Sequence, residues 1–223
     1  MRCCKLIHIF INLCPSLLKI YSASTMGATP EFLQTNIRVK PDLDALGALG
    51  DLAWYCIGAA LWAKGYELPT AVQALPDTTR NSAGVILSCT AFLHWGAATT
   101  ATIHCSFLSH TSMDLAITSS NASIRTNDFI IPYGEDCAQF ELTRGAKFLD
   151  LYTGWSPGPE EVEVNAQLSQ EALMVEELAR LARGIREFGH RPDGKWPEIS
   201  RKTQLVLDAV KRSIDLGCET VQL

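Results

Sequence analysis

The alternation of apolar and polar positions divides this chain into a helix-led opening, a long strand-rich middle and a helical end. Leu6 to Leu13 is apolar, follows Arg2 and Lys5, and is closed by Pro15. It is shorter than the roughly 20 residues that span a bilayer as a helix. It reads either as the core of a secretory signal, with Ser22-Ala23-Ser24 as a cleavage site, or as a first strand or atypical start; the second reading is preferred. Residues 28–46 are polar and loop-like, with Pro30 and Pro41 as breakers. From Gly47 a helix is predicted, apolar at nearly every position between Leu52 and Ala63, so it should be buried on most sides and end at Lys64-Gly65.

The middle is built of β-branched and apolar runs. Val85 to Trp95 and Thr99 to Leu108, separated by Gly96-Ala97-Ala98, read as a hairpin. Met113 to Thr118, Ala122 to Arg125, Phe129 to Ile131 and Gln139 to Leu142 follow as short strands of a meandering antiparallel sheet with one covered face and one open face. Gly154 to Pro159 is a loop by composition. Ser169 then caps a helix to about Phe188, with Leu173, Val175, Leu178, Leu181, Ala182 and Ile185 at helical spacing. A last helix runs from about Pro197 to Leu216 and is stopped by Gly217, and Glu219 to Leu223 return as a strand. The acidic residues of these two helices read as solvated faces.

Composition narrows the function classes. With 223 residues, 47% apolar and 19% charged, the chain is an ordinary globular one with enough length for a sizeable core. A net charge of −5 without basic clusters argues against nucleic acid and anionic membranes as partners and leaves small neutral or weakly charged ligands. The eight cysteines form no C-x-x-C pair, which favours a reduced, cytoplasmic protein over a disulfide scaffold or a zinc site. His94 and His104 lie on the two arms of the hairpin and could face one another, a pairing more often structural than metal-binding. Asn121-Ala122-Ser123 fits the glycosylation pattern, which matters only in a secreted protein.

The candidate chemistry lies in Gly47-Ala48-Leu49-Gly50-Asp51-Leu52-Ala53-Trp54-Tyr55. Asp51 and Tyr55 are one helical turn apart and so share a face. Each has a structural reading, Asp51 as a helix N-cap and Tyr55 as a core aromatic. Each also has a chemical one. A phenol, with a reference pKa of about 10, is protonated at neutral pH and can donate to a carbonyl oxygen as hydride reaches carbon, with the carboxylate orienting the substrate. Acting as a base in reverse, it would need a nearby cation, and the adjoining sequence offers Arg38 and Lys40. Neither G-x-G-x-x-G nor G-x-x-x-x-G-K-[ST] occurs.

Several of these segments together resemble a known family: Asn36-Ile37-Arg38-Val39-Lys40-Pro41, Leu46 to Cys56, Ala101 to Phe107, Asp128 to Tyr133, and Asp193-Gly194-Lys195-Trp196-Pro197 running into Ile199 to Gln204. Residues 20–223 are similar to the C-terminal domain of the glucose-fructose oxidoreductase, inositol dehydrogenase and MocA (Gfo/Idh/MocA) family, especially plant members related to dihydrodiol dehydrogenases.

The resemblance implies an α+β fold: an open, mostly antiparallel sheet with helices packed on one face and no Rossmann domain in this chain. It implies an NAD(P)-dependent oxidoreductase acting on a sugar-, polyol- or diol-like substrate, of which this chain is the substrate-side half. NAD or NADP would be held mainly by a Rossmann domain that this chain lacks. In the family's D-x-x-x-H/Y motif the matching positions are Asp51 and Tyr55 as catalytic residues, and Arg38 matches a substrate-binding arginine. Ala45, Leu46 and Ala53 stand where many members carry glycine. The open sheet face implies a homodimer, or a dimer with full-length relatives. Residues 1–19 are expected to be an atypical start fused to a truncated domain, with a non-catalytic interaction or dimerisation domain as the alternative function. The expected location is cytoplasmic, or secreted if residues 1–24 act as a signal peptide.

Overall fold

The computed structural model of the chain describes residues 18–150 and 154–223. The apolar run Leu6 to Leu13, and with it the signal or first-strand reading, lies outside the described residues.

The first described strand is β1 (Leu18–Thr25), which reaches two residues further back than the expected boundary at residue 20. Ser22-Ala23-Ser24, considered as a cleavage site, lies buried in mid-strand. The stretch expected to be loop carries a short helix, α1 (Pro30–Thr35), and a 3-10 turn over Ile37–Val39. Pro30 starts this helix rather than breaking it: Thr29 caps it, and proline at the first helical position loses no intrahelical bond. The helix expected from Gly47 is in two pieces, α2 (Ala48–Asp51) and α3 (Ala53–Ala63), joined at Leu52. It ends as expected, with Lys64 as cap and Gly65 at φ 62°.

Strands β2 (Ala71–Ala74), β3 (Thr79–Arg80), β4 (Ile86–Trp95), β5 (Thr99–Ser106), β6 (Ser112–Ser119), β7 (Ala122–Thr126) and β8 (Cys137–Arg144) follow. The β4–β5 hairpin is where the pattern placed it, with Gly96 at φ 65° in the turn. Phe129 to Ile131 do not form a strand. The Asp128 carboxylate accepts from the Thr126 hydroxyl at 2.6 Å and the Tyr133 amide at 3.1 Å, which curls the segment after an isolated bridge to Met113. The expected loop at Gly154 is a small hairpin of β9 (Lys147–Asp150) and β10 (Gly154–Ser156), and β11 (Glu160–Asn165) then pairs with β8. Helices α4 (Gln170–Phe188) and α5 (Lys195–Asp215) and strand β12 (Val221–Gln222) complete the chain.

Ten strands among the described residues form one sheet, ordered β11-β8-β7-β6-β1-β5-β4-β2-β12 with β3 beside β4. All its ladders are antiparallel except β1 on β5, so the sheet is mixed rather than a simple meander. β1 lies between β6 and β5, and α1–α3 form the crossover from it to β2, three strands away towards one edge. Open α+β architecture with helices on one face is thus the observed fold. The covered face carries Cys89, Ala91, Leu93, Ala101, Ile103, Cys105 and Ile117, all buried, beneath the buried Cys56, Ile57, Ala60 and Leu61 of α3.

Helix α5 packs beside α3 through Val206, Leu207, Val210 and Ile214, spaced for one helical face. Ser213, fully buried, ties it to the sheet edge: its hydroxyl accepts from the Ala74 amide at 2.9 Å and donates to the Glu219 carbonyl at 2.6 Å. Helix α4 differs. It starts at Ser169 and ends at Gly189 as its caps predict, but Gly184 is its one buried residue, so the apolar positions read in the sequence do not enter the core.

Candidate functional site

The site is assembled where α2 starts against β4. Gly47, at φ 58°, brings the chain so close to the sheet that a Cβ there would lie 2.2 Å from the Ile86 carbonyl oxygen. Only glycine tolerates both that backbone conformation and that approach. Asp44 fixes the approach by accepting from the amides of Leu46 at 3.2 Å and Gly47 at 3.3 Å. With α2 anchored there, Asp51 falls at its end and Tyr55 one turn into α3.

Asp51 is not an N-cap. Its own amide bonds the Gly47 carbonyl at 2.9 Å, inside the helix, and its carboxylate accepts from Arg38 Nε at 2.9 Å. Tyr55 is not a core aromatic either, because its side chain is 47% exposed while its neighbours Ala53 and Cys56 are fully buried. Both structural readings are therefore displaced by geometry: the face that carries these two residues points away from the sheet.

Arg38 reaches the same place from the 3-10 turn, whose N-cap Asn36 accepts from the Arg38 amide at 3.0 Å. The bond from Asp51 holds the guanidinium above its ordinary range, and the Asp44 carboxylate and the Tyr55 hydroxyl lie near enough to push the same way. A pair this exposed contributes at most about 1 kcal/mol to stability, so its effect is to position the guanidinium rather than to hold the fold. Lys40, the other cation considered, turns elsewhere and donates to the Gln34 carbonyl at 2.5 Å. The structure thus brings Arg38, Asp51 and Tyr55 together and adds Asp44, which the sequence reading missed. Its signal was local: an aspartate two residues before the Leu46 amide, in position to bond its own backbone.

The remaining candidates separate. His94 pairs across the hairpin with Thr100, and His104 with Thr90, so the two histidines do not face one another. His104 Nδ1 lies 2.9 Å from the Thr90 hydroxyl, which donates to Asp77 at 2.5 Å. Among the described residues no group of three or more His, Cys, Asp or Glu side chains could hold a metal ion. Burial pushes the Cys56 thiol up to about 12, which keeps it protonated beneath the site.

Gly47 spends its conformational freedom on contact with β4 rather than on an open phosphate cradle, and α2, with four residues, is too short to offer a phosphate site of its own. What the cluster offers is an exposed phenol, a positioned guanidinium and a carboxylate. These can bind a hydroxyl or carbonyl oxygen and move a proton at it. No helix among the described residues is long and apolar enough to cross a membrane.

Residues 17–125 match the family model described as GFO/IDH/MocA C-terminal domain. Among solved structures, an aldose-aldose oxidoreductase from Caulobacter crescentus, complexed with glycerol, is similar at 17% identity and TM-score 0.74, over 97% of this chain and 59% of that one. KijD10, a 3-ketoreductase from Actinomadura kijaniata in complex with NADP and TDP-benzene, is similar at 17% identity and TM-score 0.68, over 93% and 57%. An NAD binding oxidoreductase from Klebsiella pneumoniae follows at 14% identity and TM-score 0.68, over 100% and 63%. The likeness is one of fold, and the chain spans about three fifths of the length of each of these proteins.

Proposed function

Residues 17–125 belong to the GFO/IDH/MocA C-terminal domain family, and from that premise we propose that this chain is the substrate-side half of an NAD(P)-dependent oxidoreductase. The observation that carries the reading is the exposed Tyr55 beside the Arg38–Asp51 pair, at the positions of the family's motif. The substrate is a sugar-, polyol- or diol-like molecule with a carbonyl or hydroxyl as its reacting group. Glycerol on the Caulobacter relative supports that class. Tyrosine in place of histidine supports the dihydrodiol-dehydrogenase-like branch.

A bound nicotinamide would supply the hydride, and its dinucleotide would be held mainly by a domain other than the one described, as suits longer relatives of which one is in complex with NADP and one is described as NAD binding. This chain works at the oxygen. Tyr55 donates its proton to the carbonyl oxygen during reduction. Arg38, held by Asp51, anchors a neighbouring substrate oxygen, and its charge favours the phenolate when the proton must be taken back. Loss of such a proton donor costs on the order of 10²- to 10⁴-fold in rate.

The open sheet face supports association through that surface with a second copy or a longer relative. A non-catalytic dimerisation domain is the second reading, favoured by the absence of a phosphate cradle. Supplying the purified chain with NADPH, a nucleotide-binding domain from one of its longer structural relatives and a small hydroxycarbonyl compound separates the two. Saturable binding with turnover sinks the non-catalytic reading. Dimerisation with no binding sinks catalysis by this chain alone.

A further inference from the structure

The cluster around Tyr55 holds more negative charge than its one positioned cation balances. Asp51 already takes the Arg38 guanidinium through Nε at 2.9 Å. Asp44 brings a second carboxylate to the same place. One of its oxygens accepts from the Leu46 and Gly47 amides at 3.2 and 3.3 Å and lies 3.7 Å from where a Cβ on Gly50, the residue before Asp51, would stand. Its charge is near enough to hold the guanidinium further above its ordinary range. Between residues 36 and 55 the charged side chains are Arg38, Lys40, Asp42, Asp44 and Asp51, and Lys40 is turned away to the Gln34 carbonyl. Two carboxylates therefore lie beside one guanidinium.

Tying down two amides does not require a charge. Asparagine accepts from the same amides in the same kind of turn, and serine does so more weakly. The bonds to Leu46 and Gly47 account for an oxygen at position 44, and the charge is left to act on whatever approaches Arg38. A neutral hydroxyl or carbonyl oxygen meets a donor there. A carboxylate or phosphate meets the same donor with surplus negative charge beside it. A guanidinium is otherwise well shaped for such anions, so without Asp44 the site would draw them readily.

We propose that Asp44 is a specificity-determining residue, whose carboxylate turns anionic compounds away from Arg38 and leaves the site to uncharged hydroxycarbonyl substrates. This rests on the reading of Arg38 as the substrate-binding arginine, and Asp44 acts through Arg38 rather than on the reacting atoms. Removing one unit charge about 6 Å from the ligand's own, near a protein surface, changes affinity on the order of three- to tenfold, and salt screens the effect.

Dihydroxyacetone and hydroxypyruvate form a matched pair for the test, since the second carries a carboxylate where the first has a hydroxymethyl group beside the same carbonyl. NADPH consumption with each is measured on the chain supplied with a nucleotide-binding domain from one of its longer structural relatives, comparing the native sequence with D44N. D44N keeps an acceptor for both amides and should unfold at the native urea midpoint; D44S is the second variant if it does not. In low salt the ratio of kcat/KM for hydroxypyruvate to that for dihydroxyacetone should rise about three- to tenfold in D44N, through KM rather than kcat. The rise should shrink in about 0.5 M NaCl. An unchanged ratio, or a rise that salt leaves intact, overturns the proposal while the catalytic reading stands. Turnover of neither compound overturns the catalytic reading and the proposal with it.

Discussion

Replacing Gly47 by alanine tests how the fold holds the site. The new Cβ would stand 2.2 Å from the Ile86 carbonyl oxygen and 2.6 Å from Val85 Cγ1. The first of these is backbone of β4, paired with Arg80 of β3, and cannot swing aside as a side-chain tip can. A non-glycine residue at φ 58°, ψ −133° costs about 1–3 kcal/mol in backbone strain alone. Separating the overlapped atoms by about 1 Å adds an overpacking cost of about 1–3 kcal/mol. The total expected loss is therefore about 2–6 kcal/mol, a large part of the roughly 5–15 kcal/mol that holds a typical domain. Urea unfolding followed by circular dichroism reads it as a fall in the midpoint. Gly58, inside α3 with open space around its Cβ position, is the control: G58A should stabilise by about 0.5–1 kcal/mol through helix propensity. If G47A unfolds within 1 kcal/mol of the native chain, α2 is not pinned to β4 as described and the site's placement has another cause.

Other consequences are read independently. S213A strands the buried Ala74 amide and Glu219 carbonyl and should cost about 1–3 kcal/mol in the same unfolding assay. The buried thiols of Cys56 and Cys105 are both held above their ordinary range, Cys56 at about 12 against an ordinary 9.0. The folded chain therefore keeps protons that the unfolded chain loses above about pH 9. Stability should be unaffected by these groups below that pH and fall above it by about 1.4 kcal/mol per pH unit for each group, a slope that C56A reduces between pH 9 and 11. A116R, on the open sheet face between Tyr21 and Arg125, should shift the proposed sheet-mediated dimer to monomer in light scattering without lowering the unfolding free energy by more than about 0.5 kcal/mol.

The sequence was legible where periodicity and burial agreed. The β4–β5 hairpin and α5 were plain because Leu93, Ala101 and Ile103, and Val206, Leu207 and Val210, repeat at the strand and helix periods and all enter the core. It misled where a local bond overrode propensity. Phe129 to Ile131 have the composition of a strand, yet the Asp128 carboxylate captures Thr126 and Tyr133 and bends the chain. It was silent at β1, whose buried Ser22 and Ser24 disguise a central strand, and at β11, whose glutamates hide the inward Val162 and Val164. The stripe of α4 was read correctly as helical but not as bare, because periodicity reports an apolar face and not what covers it.

In the candidate site, the spacing of Asp51 and Tyr55 gave a shared face but left cap and core as rival readings. Only tertiary structure, which puts Asp51 on Arg38 and Tyr55 in solvent, separates them. The adjoining sequence offered Arg38 only as one of two cations, and its pairing with Asp51, thirteen positions on, is set by the fold.

The most direct measurement is the rate of NADPH consumption at 340 nm with a panel of small sugars and diol-related carbonyls. It is made on the chain supplied with a nucleotide-binding domain from one of its longer structural relatives, comparing the native sequence with Y55F. The account predicts turnover that falls on the order of 10²- to 10⁴-fold in kcat in Y55F, with little change in KM. Equal turnover in the two proteins would contradict it.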